Sequence, residues 1–298
     1  MRANIHQVGE HVVEQLVKQG HTVIGLAHHE RAAKTITSLG ATPHNGSLYD
    51  TESLRSGAAS ADAVIHLAYN HDFTKHQEAA SADRAAIEAL LAGLGQGKPF
   101  VGTTAPVWDT DGKPFVESDV YDISKARSPR GQSEVLLKQK GTEGYKTAFI
   151  RLPPTVHGPK DPNFITLIIN NSKKAGKVGY VGDGQHKWAS THVKDAARLY
   201  IDTLNGLVDG SVPSGQTIHA DEAGGFKTKD IALAIADRLK LEAVPITFQE
   251  SQELYTPYVG MVWSVEVDLK TDITRQLTGW KPQEVDLLED LKGDAYFQ

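Results

Sequence analysis

The sequence contains no cysteine, only two methionines among its 298 residues, and no apolar run long enough to cross a membrane. The absence of cysteine excludes disulfides, thiolate catalysis and cysteine metal sites together, and it fits a reducing compartment. The N-terminus lacks the apolar core of a signal peptide, so we expect a cytoplasmic protein with no membrane partner. Acidic residues outnumber basic ones, 37 to 31. The net charge of −6 argues against a nucleic-acid surface.

Strand-like and helix-like segments alternate through the first half of the chain. This alternation predicts an α/β fold, a Rossmann-like doubly wound parallel sheet whose two faces are covered by helices. The predicted strands are 21–27, a weak one at 41–46, 61–69, 98–105 and 146–154, and the predicted helices are 8–20, 30–39, 77–94 and 128–140.

The second half has a more mixed pattern, which predicts a smaller C-terminal lobe. We assign residues 1–160 to a Rossmann-like dinucleotide-binding region that is completed by about 177–206. Residues 161–176 and 207–298 form the smaller substrate lobe, interwoven with the first region. Helices are predicted at 163–175, 193–206 and 228–240, and strands at 177–181, 216–220 and 245–248.

Four segments in this order resemble the extended short-chain dehydrogenase/reductases, the NAD(P)-dependent epimerase/dehydratase family. They are VIHLA (64–68), VGTTAPVW (101–108), RLPPTVHGP (151–159) and YVGDGQHKWASTHVKDAARLY (180–200). The similarity covers nearly the whole chain and is greatest to atypical subgroups with altered active-site residues. It implies a nicotinamide cofactor and hydride transfer at a carbonyl or alcohol carbon.

The family opens with a strand and a glycine-rich turn that brings the backbone to the cofactor pyrophosphate. Gly9 matches the last glycine of that turn, but His6 and Ala3 stand where the family has glycine, and no strand precedes them. Three readings are open. The natural protein has residues that this sequence lacks, this family member tolerates the loss, or Gly9 is simply a small residue at a helix start. In this fold the first strand lies at the centre of the sheet. Its absence would leave backbone groups of the two flanking strands unpaired, at a cost of about 1–3 kcal/mol for each unsatisfied group.

The resemblance places a cofactor crevice along the predicted sheet. Arg31, after the second family strand, is suited to a 2′-phosphate, so we expect NADP, with NAD as the alternative. The alternative is that Arg31 has no binding role, because an arginine in the first turn of an exposed helix is usually just solvated. The remaining cofactor-binding residues implied by the resemblance are Val8, Gly9, Leu67, Ala68, Thr103, Pro153 and Pro154.

The family's catalytic group is a Ser/Thr that holds the substrate oxygen, a tyrosine that transfers the proton, and a lysine four residues later that lowers its pKa. Thr104 matches the Ser/Thr, although a plain strand threonine is an equal alternative. Tyr121 and Lys125 form a YxxxK motif that lies too early in the chain. Arg130 and Glu134 stand where the family has tyrosine and lysine. Arginine cannot donate a proton near neutral pH, so we predict that Arg130 and Glu134 form a salt bridge, and that either Tyr121 and Lys125 reach the site or ordinary catalysis is absent.

Weaker candidates surround this group. His71, Asp72 and His76 have poor ligand spacing, so we expect no metal site. His157 is either a proton-transfer group near the nicotinamide or a loop histidine. Trp188 is expected to be structural, with a place in the lining of the substrate cleft as the alternative. The cluster of Tyr255, Tyr258, Met261 and Trp263 suits either a substrate-side wall or a core, and we expect a core.

Two classes of function follow from these residues. The leading one is an NADP(H)-linked oxidoreductase or epimerase acting on a small-molecule carbonyl or sugar-like substrate, with homodimerisation through a helix pair implied by the family. The alternatives are a non-catalytic nucleotide-sensing or scaffold protein of the same fold, and a truncated reductase.

Overall fold

The computed structural model describes residues 7–72, 75–106, 113–121 and 129–297. Lys125, a predicted catalytic residue, and Ser128, a predicted helix cap, lie outside the described residues. The helices are α1 Gln7–Lys18, α2 Glu30–Ser38, α3 Thr51–Ala59, α4 His76–Leu94, α5 Gly131–Thr142, α6 Phe164–Ala175, α7 Val193–Asp209, α8 Thr228–Leu239, α9 Phe248–Tyr255, α10 Pro257–Trp263, α11 Asp272–Thr278 and α12 Leu287–Lys292. The strands are β1 Ile24–Ala27, β2 Thr42–Asn45, β3 Val64–Ile65, β4 Pro99–Thr104, β5 Lys146–Arg151, β6 Thr155–His157, β7 Lys177–Val181, β8 Lys187–Trp188, β9 Ser190–His192, β10 Gln216–His219, β11 Phe226–Lys227 and β12 Glu242–Ile246.

The parallel sheet predicted from the alternating pattern is confirmed. Strands β10, β5, β4 and β3 lie side by side in that order, and every pair of neighbours is parallel. All six residues of β4 are buried, because helices cover both faces of the sheet. The carboxyl ends of these strands therefore share one edge, where α/β folds bind their ligands.

Strands β1 and β2 form a separate parallel pair within the described residues. In the family, the first strand lies between the counterparts of β1 and β3. The side chains beside that slot are incompletely buried: Ile24 is 43% exposed, and Val64 and Ile65 are half-buried. Residues 1–6 are not among the described residues, so the prediction of an absent first strand stays a prediction.

The smaller lobe is organised around a second core. Strand β7 pairs in parallel with β12, and the buried side chains of Trp188, Tyr255 and Trp263 pack beneath them. The phenol of Tyr255 and the indole of Trp263 both donate to the carbonyl oxygen of Gly179, each at 2.9 Å. These tryptophan and tyrosine side chains are therefore structural, as predicted.

Chain segments cross between the two regions. By its pairing β7 belongs with the smaller lobe, although the sequence assigns residues 177–206 to the first region. Helix α7 packs against β4 and β5, and α1 packs on α7, where Gln15 Nε2 donates to the carbonyl oxygen of Lys194 at 3.1 Å. No helix in the described part of the chain has both the length and the apolar composition needed to span a bilayer.

Candidate functional site

An open crevice of about 550 Å³ lies at the carboxyl ends of β1 and β2. Two of its lining residues are acidic, Glu30 and Asp50, and none is lysine or arginine. Arg31, predicted to bind the cofactor, is exposed and does not line this crevice. The lining residues are Ala27, His28, His29, Glu30, Ala33, Asn45, Gly46, Ser47 and Asp50.

The other predicted cofactor residues lie at or near the shared sheet edge. Val8 and Gly9 are buried in the first turn of α1, and Leu67 and Ala68 follow β3 in half-buried positions. Pro153 and Pro154 are buried directly after β5. A helix start and the ends of two parallel strands are the elements that a dinucleotide contacts in this fold class.

Thr103 and Thr104, adjacent at the end of β4, have different surroundings. The Thr103 hydroxyl donates to the carbonyl oxygen of His66 at 2.8 Å and lies 2.7 Å from the Tyr200 phenol, so it is engaged within the protein. The Thr104 side chain is only 1% exposed, and its hydroxyl has no hydrogen-bond partner among the described residues. Because a buried hydroxyl without a partner is costly, Thr104 fits the predicted role of holding a substrate oxygen.

Tyr121 packs against the first turn of α5. A Cβ atom on Gly131 would collide with the Tyr121 ring, and the Gly131 amide donates a hydrogen bond to the Tyr121 phenol oxygen. The phenol therefore lies at the helix start that carries the catalytic tyrosine in the family. Burial raises the pKa of Tyr121, and the charge of Glu134 raises it further, so the phenol stays protonated at neutral pH.

The predicted salt bridge between Arg130 and Glu134 is wrong. Glu134 pairs instead with Arg151, whose Nε and Nη2 donate to the two carboxylate oxygens at 3.0 and 2.6 Å. Both side chains are 1% exposed. The two parallel hydrogen bonds between Arg151 and Glu134 are stronger than a single contact between side chains one helical turn apart, and they satisfy both buried charges.

The remaining contacts of Arg151 complete a closed network. Its Nη1 lies 3.1 Å from His219 Nε2, and its Nη2 also donates to the carbonyl oxygen of Asp119 at 2.8 Å. Burial and the charge of Arg151 lower the pKa of His219 to about 3, so this imidazole is neutral. His219 Nδ1 faces the carbonyl oxygen of Lys270 at 2.8 Å and donates to it, which leaves Nε2 as the acceptor from Arg151.

Arg130 lies elsewhere, at the N-cap of α5, with its guanidinium carbon 4.1 Å from the centre of the Tyr69 ring. Nearby, the buried Asp83 carboxylate is held by His66 Nε2 at 2.9 Å and by the Ser133 hydroxyl at 2.5 Å. Burial alone would raise the pKa of Asp83, but these hydrogen bonds and the charge of Arg130 lower it. Sequence reasoning missed this network because its members are far apart in the chain.

His157 is fully buried between two carboxylates. Its Nδ1 lies 2.9 Å from Asp290 of α12, and its Nε2 lies 3.0 Å from each oxygen of Glu222. Burial alone would lower its pKa, but hydrogen bonds to Asp290 and Glu222 and their charges raise it to about 9. His157 is thus an imidazolium that ties the C-terminal helix to the sheet edge.

Comparison with known proteins agrees with this architecture. A family model described as the NAD dependent epimerase/dehydratase family matches residues 7–213. The chain belongs to this family.

Individual relatives and structures extend the comparison. An uncharacterized protein of Schizosaccharomyces pombe, C2A9.02, is 34% identical over 292 residues, which covers 97% of this chain and 96% of that protein. A Stigmatella aurantiaca enzyme, 4-hydroxy-2-methyl-3-oxo-4-farnesyl-3,4-dihydroquinoline-1-oxide ketoreductase, is 25% identical over 62% of this chain and 58% of its own. The crystal structure of DesIV, a dTDP-glucose 4,6-dehydratase from Streptomyces venezuelae with NAD and TYD bound, superposes with a TM-score of 0.73. It covers 96% of this chain and 91% of its own at 18% identity, so it shows the fold.

Proposed function

We propose that this protein binds a nicotinamide dinucleotide along the carboxyl edge of its sheet and acts as an oxidoreductase or epimerase on a small carbonyl or sugar-like substrate. The observation that carries the proposal is the buried Thr104 hydroxyl at that edge, which no residue in the described part of the chain hydrogen-bonds, together with the crevice beyond β1 and β2. The cofactor, when bound, supplies or accepts the hydride. The ketoreductase relative supports a carbonyl substrate.

The proposed cofactor contacts follow from position. Val8 and Gly9 would face the pyrophosphate from the start of α1, and Leu67, Ala68 and the Pro153–Pro154 turn would border the nicotinamide. Thr103 would contribute its backbone, because its hydroxyl is engaged by His66 and Tyr200.

The choice between NAD and NADP is a separate proposal. Arg31 supports NADP, because an exposed guanidinium one residue beyond the crevice lining can turn toward a 2′-phosphate. The lining supports NAD, because Glu30 and Asp50 would repel a phosphate and can accept hydrogen bonds from ribose hydroxyls. We propose NAD on this ground. If it is correct, Glu30→Gln should improve NADPH binding, whereas a selective loss of NADPH binding in Arg31→Gln would favour NADP.

In the proposed chemistry each residue has one role. Thr104 donates a hydrogen bond to the substrate oxygen, and Tyr121, with Lys125, supplies the proton to that oxygen during reduction. The raised pKa of Tyr121 supports a proton donor, since the phenol is protonated when the substrate binds. Glu134 and Arg151 take no part, because each is held by the other.

A non-catalytic, nucleotide-sensing protein is the second candidate. The observation in its favour is that Glu134 occupies the place of the family's lysine and is locked in a buried ion pair, so no cation at that position can lower the pKa of a tyrosine. This protein would bind the dinucleotide without turning over a substrate.

Thermal unfolding with NADH and NADPH tests cofactor binding first. A ligand at about one hundred times its dissociation constant stabilises the folded state by about 2.7 kcal/mol, which is a clear upward shift of the melting temperature. No shift with either dinucleotide at millimolar concentration would reject both candidates.

Oxidation of NADH by a panel of ketones and aldehydes then separates the two candidates. Tyr121→Phe should abolish turnover, and Thr104→Val should reduce it. Ser60→Ala is the control and should leave turnover unchanged, because Ser60 is exposed after α3 and has no role in the proposed chemistry. Cofactor binding without any turnover would favour the sensor.

A further inference from the structure

The side chain of Gln7, the first residue of α1, connects the start of that helix to a distant loop. Its Nε2 donates to the carbonyl oxygen of Pro159 at 2.9 Å, across 152 positions of the chain. Because a carbonyl oxygen can only accept, this contact assigns the nitrogen to the end of the amide that faces Pro159. The other end is therefore Oε1, an atom that can only accept a hydrogen bond.

This amide oxygen has no donor. Gln7 Oε1 is buried, and no group in the described part of the chain donates a hydrogen bond to it. A buried acceptor that stays unpaired is unfavourable, so each such atom in a folded protein needs an explanation. The Gln7 side chain as a whole is half-buried and borders the open space at the helix start. The position is thus suited to an O–H or N–H donor from a bound molecule.

A second glutamine on the same helix provides a comparison. Gln15 lies about two turns further along α1, and its Nε2 also donates to a backbone carbonyl, that of Lys194, at 3.1 Å. Its oxygen is not among the described atoms that are buried without a partner. The unpaired oxygen is therefore a property of the helix start, and contacts of this kind elsewhere on α1 do not require it.

The contact with Pro159 places Gln7 on one side of the proposed cofactor path. The start of α1 is the proposed position of the pyrophosphate, and Pro159 lies shortly after the Pro153–Pro154 turn, the proposed border of the nicotinamide. The crevice at the ends of β1 and β2, where the adenosine half would lie, has no described lining residue from α1. Between its pyrophosphate and its nicotinamide a dinucleotide has one ribose.

We propose that Gln7 is a cofactor-binding residue whose Oε1 accepts a hydrogen bond from a hydroxyl of the ribose attached to the nicotinamide. This inference rests on the proposed function, because it takes the pyrophosphate to lie at the start of α1. The pyrophosphate itself cannot satisfy Gln7, since its ionised oxygens are acceptors, whereas a ribose hydroxyl can donate. Gln7 then joins the nicotinamide half of the cofactor to the loop that contains Pro159.

Calorimetric titration of the full chain with ADP, ADP-ribose and NADH tests this contact. ADP and ADP-ribose share the adenosine and the pyrophosphate, and only ADP-ribose and NADH carry the second ribose. Gln7→Leu removes the acceptor at similar side-chain size. We expect this variant to bind ADP-ribose and NADH about 3- to 10-fold more weakly, the range for one hydrogen bond between neutral groups, and to bind ADP as the parent does.

ADP also controls for a purely structural effect, because Gln7→Leu removes the contact with Pro159 as well. A displaced helix start would weaken the binding of every probe that carries the pyrophosphate. Equal losses for all three probes would therefore overturn the inference. Gln15→Leu is the matched control, since it removes the equivalent contact with Lys194 and should leave all three affinities unchanged. A loss with NADH alone would place the donor on the carboxamide of the nicotinamide and overturn the assignment to the ribose.

The outcomes also separate this inference from the proposed function. Binding of ADP-ribose that depends on Gln7, in a protein that oxidises NADH with no ketone or aldehyde, would support the inference and reject the oxidoreductase. Unchanged affinity of Gln7→Leu for ADP-ribose and NADH, in a protein whose turnover is established, would refute the inference alone. If the parent chain binds none of the three probes, the inference and the proposed function both fail.

Discussion

Removing the Glu134 carboxylate tests whether the buried network around Arg151 is a determinant of stability. Glu134→Ala leaves the Arg151 guanidinium, which is fully buried, without its only charged acceptor among the described contacts. The carbonyl oxygen of Asp119 and the neutral His219 remain as acceptors, but neither carries a charge. Removal of one partner of a buried ion pair typically costs about 3–5 kcal/mol, so we expect a loss of that size in the free energy of unfolding.

Urea denaturation followed by circular dichroism measures this loss as a lower midpoint with an unchanged slope. Glu143→Ala is the control, because Glu143 follows the same helix and pairs with Lys140 in an exposed position, where removal should change little. The double variant Glu134→Leu, Arg151→Met replaces the pair by apolar side chains and should recover most of the loss, because neither charge then remains buried. A loss below about 1 kcal/mol in Glu134→Ala would show that Arg151 finds solvent or another acceptor, and would refute the reasoning.

Two further predictions concern His157 and Gly131. Because the pKa of His157 is about 9 in the folded protein against 6.5 for a free imidazole, its stabilising contribution is complete below pH 6.5 and is lost as pH rises through 9. Chemical denaturation from pH 7 to 9.5 should show stability falling with pH, and His157→Gln should remove this slope whereas His21→Gln, at an exposed histidine, should not. Gly131→Ala places a methyl group against the Tyr121 ring and should cost about 1–3 kcal/mol in stability; an unchanged melting temperature would contradict the described packing of Tyr121.

The sequence was sufficient for elements whose signal is local. The apolar runs that predict strands at 98–105 and 177–181 correspond to β4 and β7, and the helix predicted at 163–175 begins one residue later as α6. Helix α3 was not predicted, because TESLRSGAA contains glycine and serine and buries only Leu54 and Ala58. Its signal is the cap: Asp50 accepts a hydrogen bond from the Ser53 amide.

The partners of the buried charges could not be read from local pattern. The sequence spacing predicts that Glu134 forms an ion pair with Arg130, one helical turn away. Its partner in the structure is Arg151, at the end of β5, the strand that follows α5 in the chain. An arginine that ends a strand whose last five residues are all buried is a signal that a buried acceptor exists, but it does not identify which carboxylate supplies it. The contact between His157 and Asp290 spans 133 positions and depends entirely on how α12 packs.

Restoring the family residues on α5 should therefore fail unless Arg151 is changed as well. Arg130→Tyr with Glu134→Lys would recreate the order of tyrosine and lysine, but the new ammonium group would meet the buried Arg151 guanidinium where a carboxylate now lies. Two buried like charges in contact are strongly unfavourable, so we expect this double variant to unfold at much lower urea than the parent protein. Adding Arg151→Leu removes the buried repulsion and should restore much of the lost stability, because the remaining cation at this position, Lys138 at 3.7 Å from the Glu134 carboxylate, is partly exposed to solvent. If the double variant is as stable as the parent, the new lysine at position 134 can turn away from Arg151. The ion pair between Glu134 and Arg151 would then not explain why this chain has glutamate where the family has lysine.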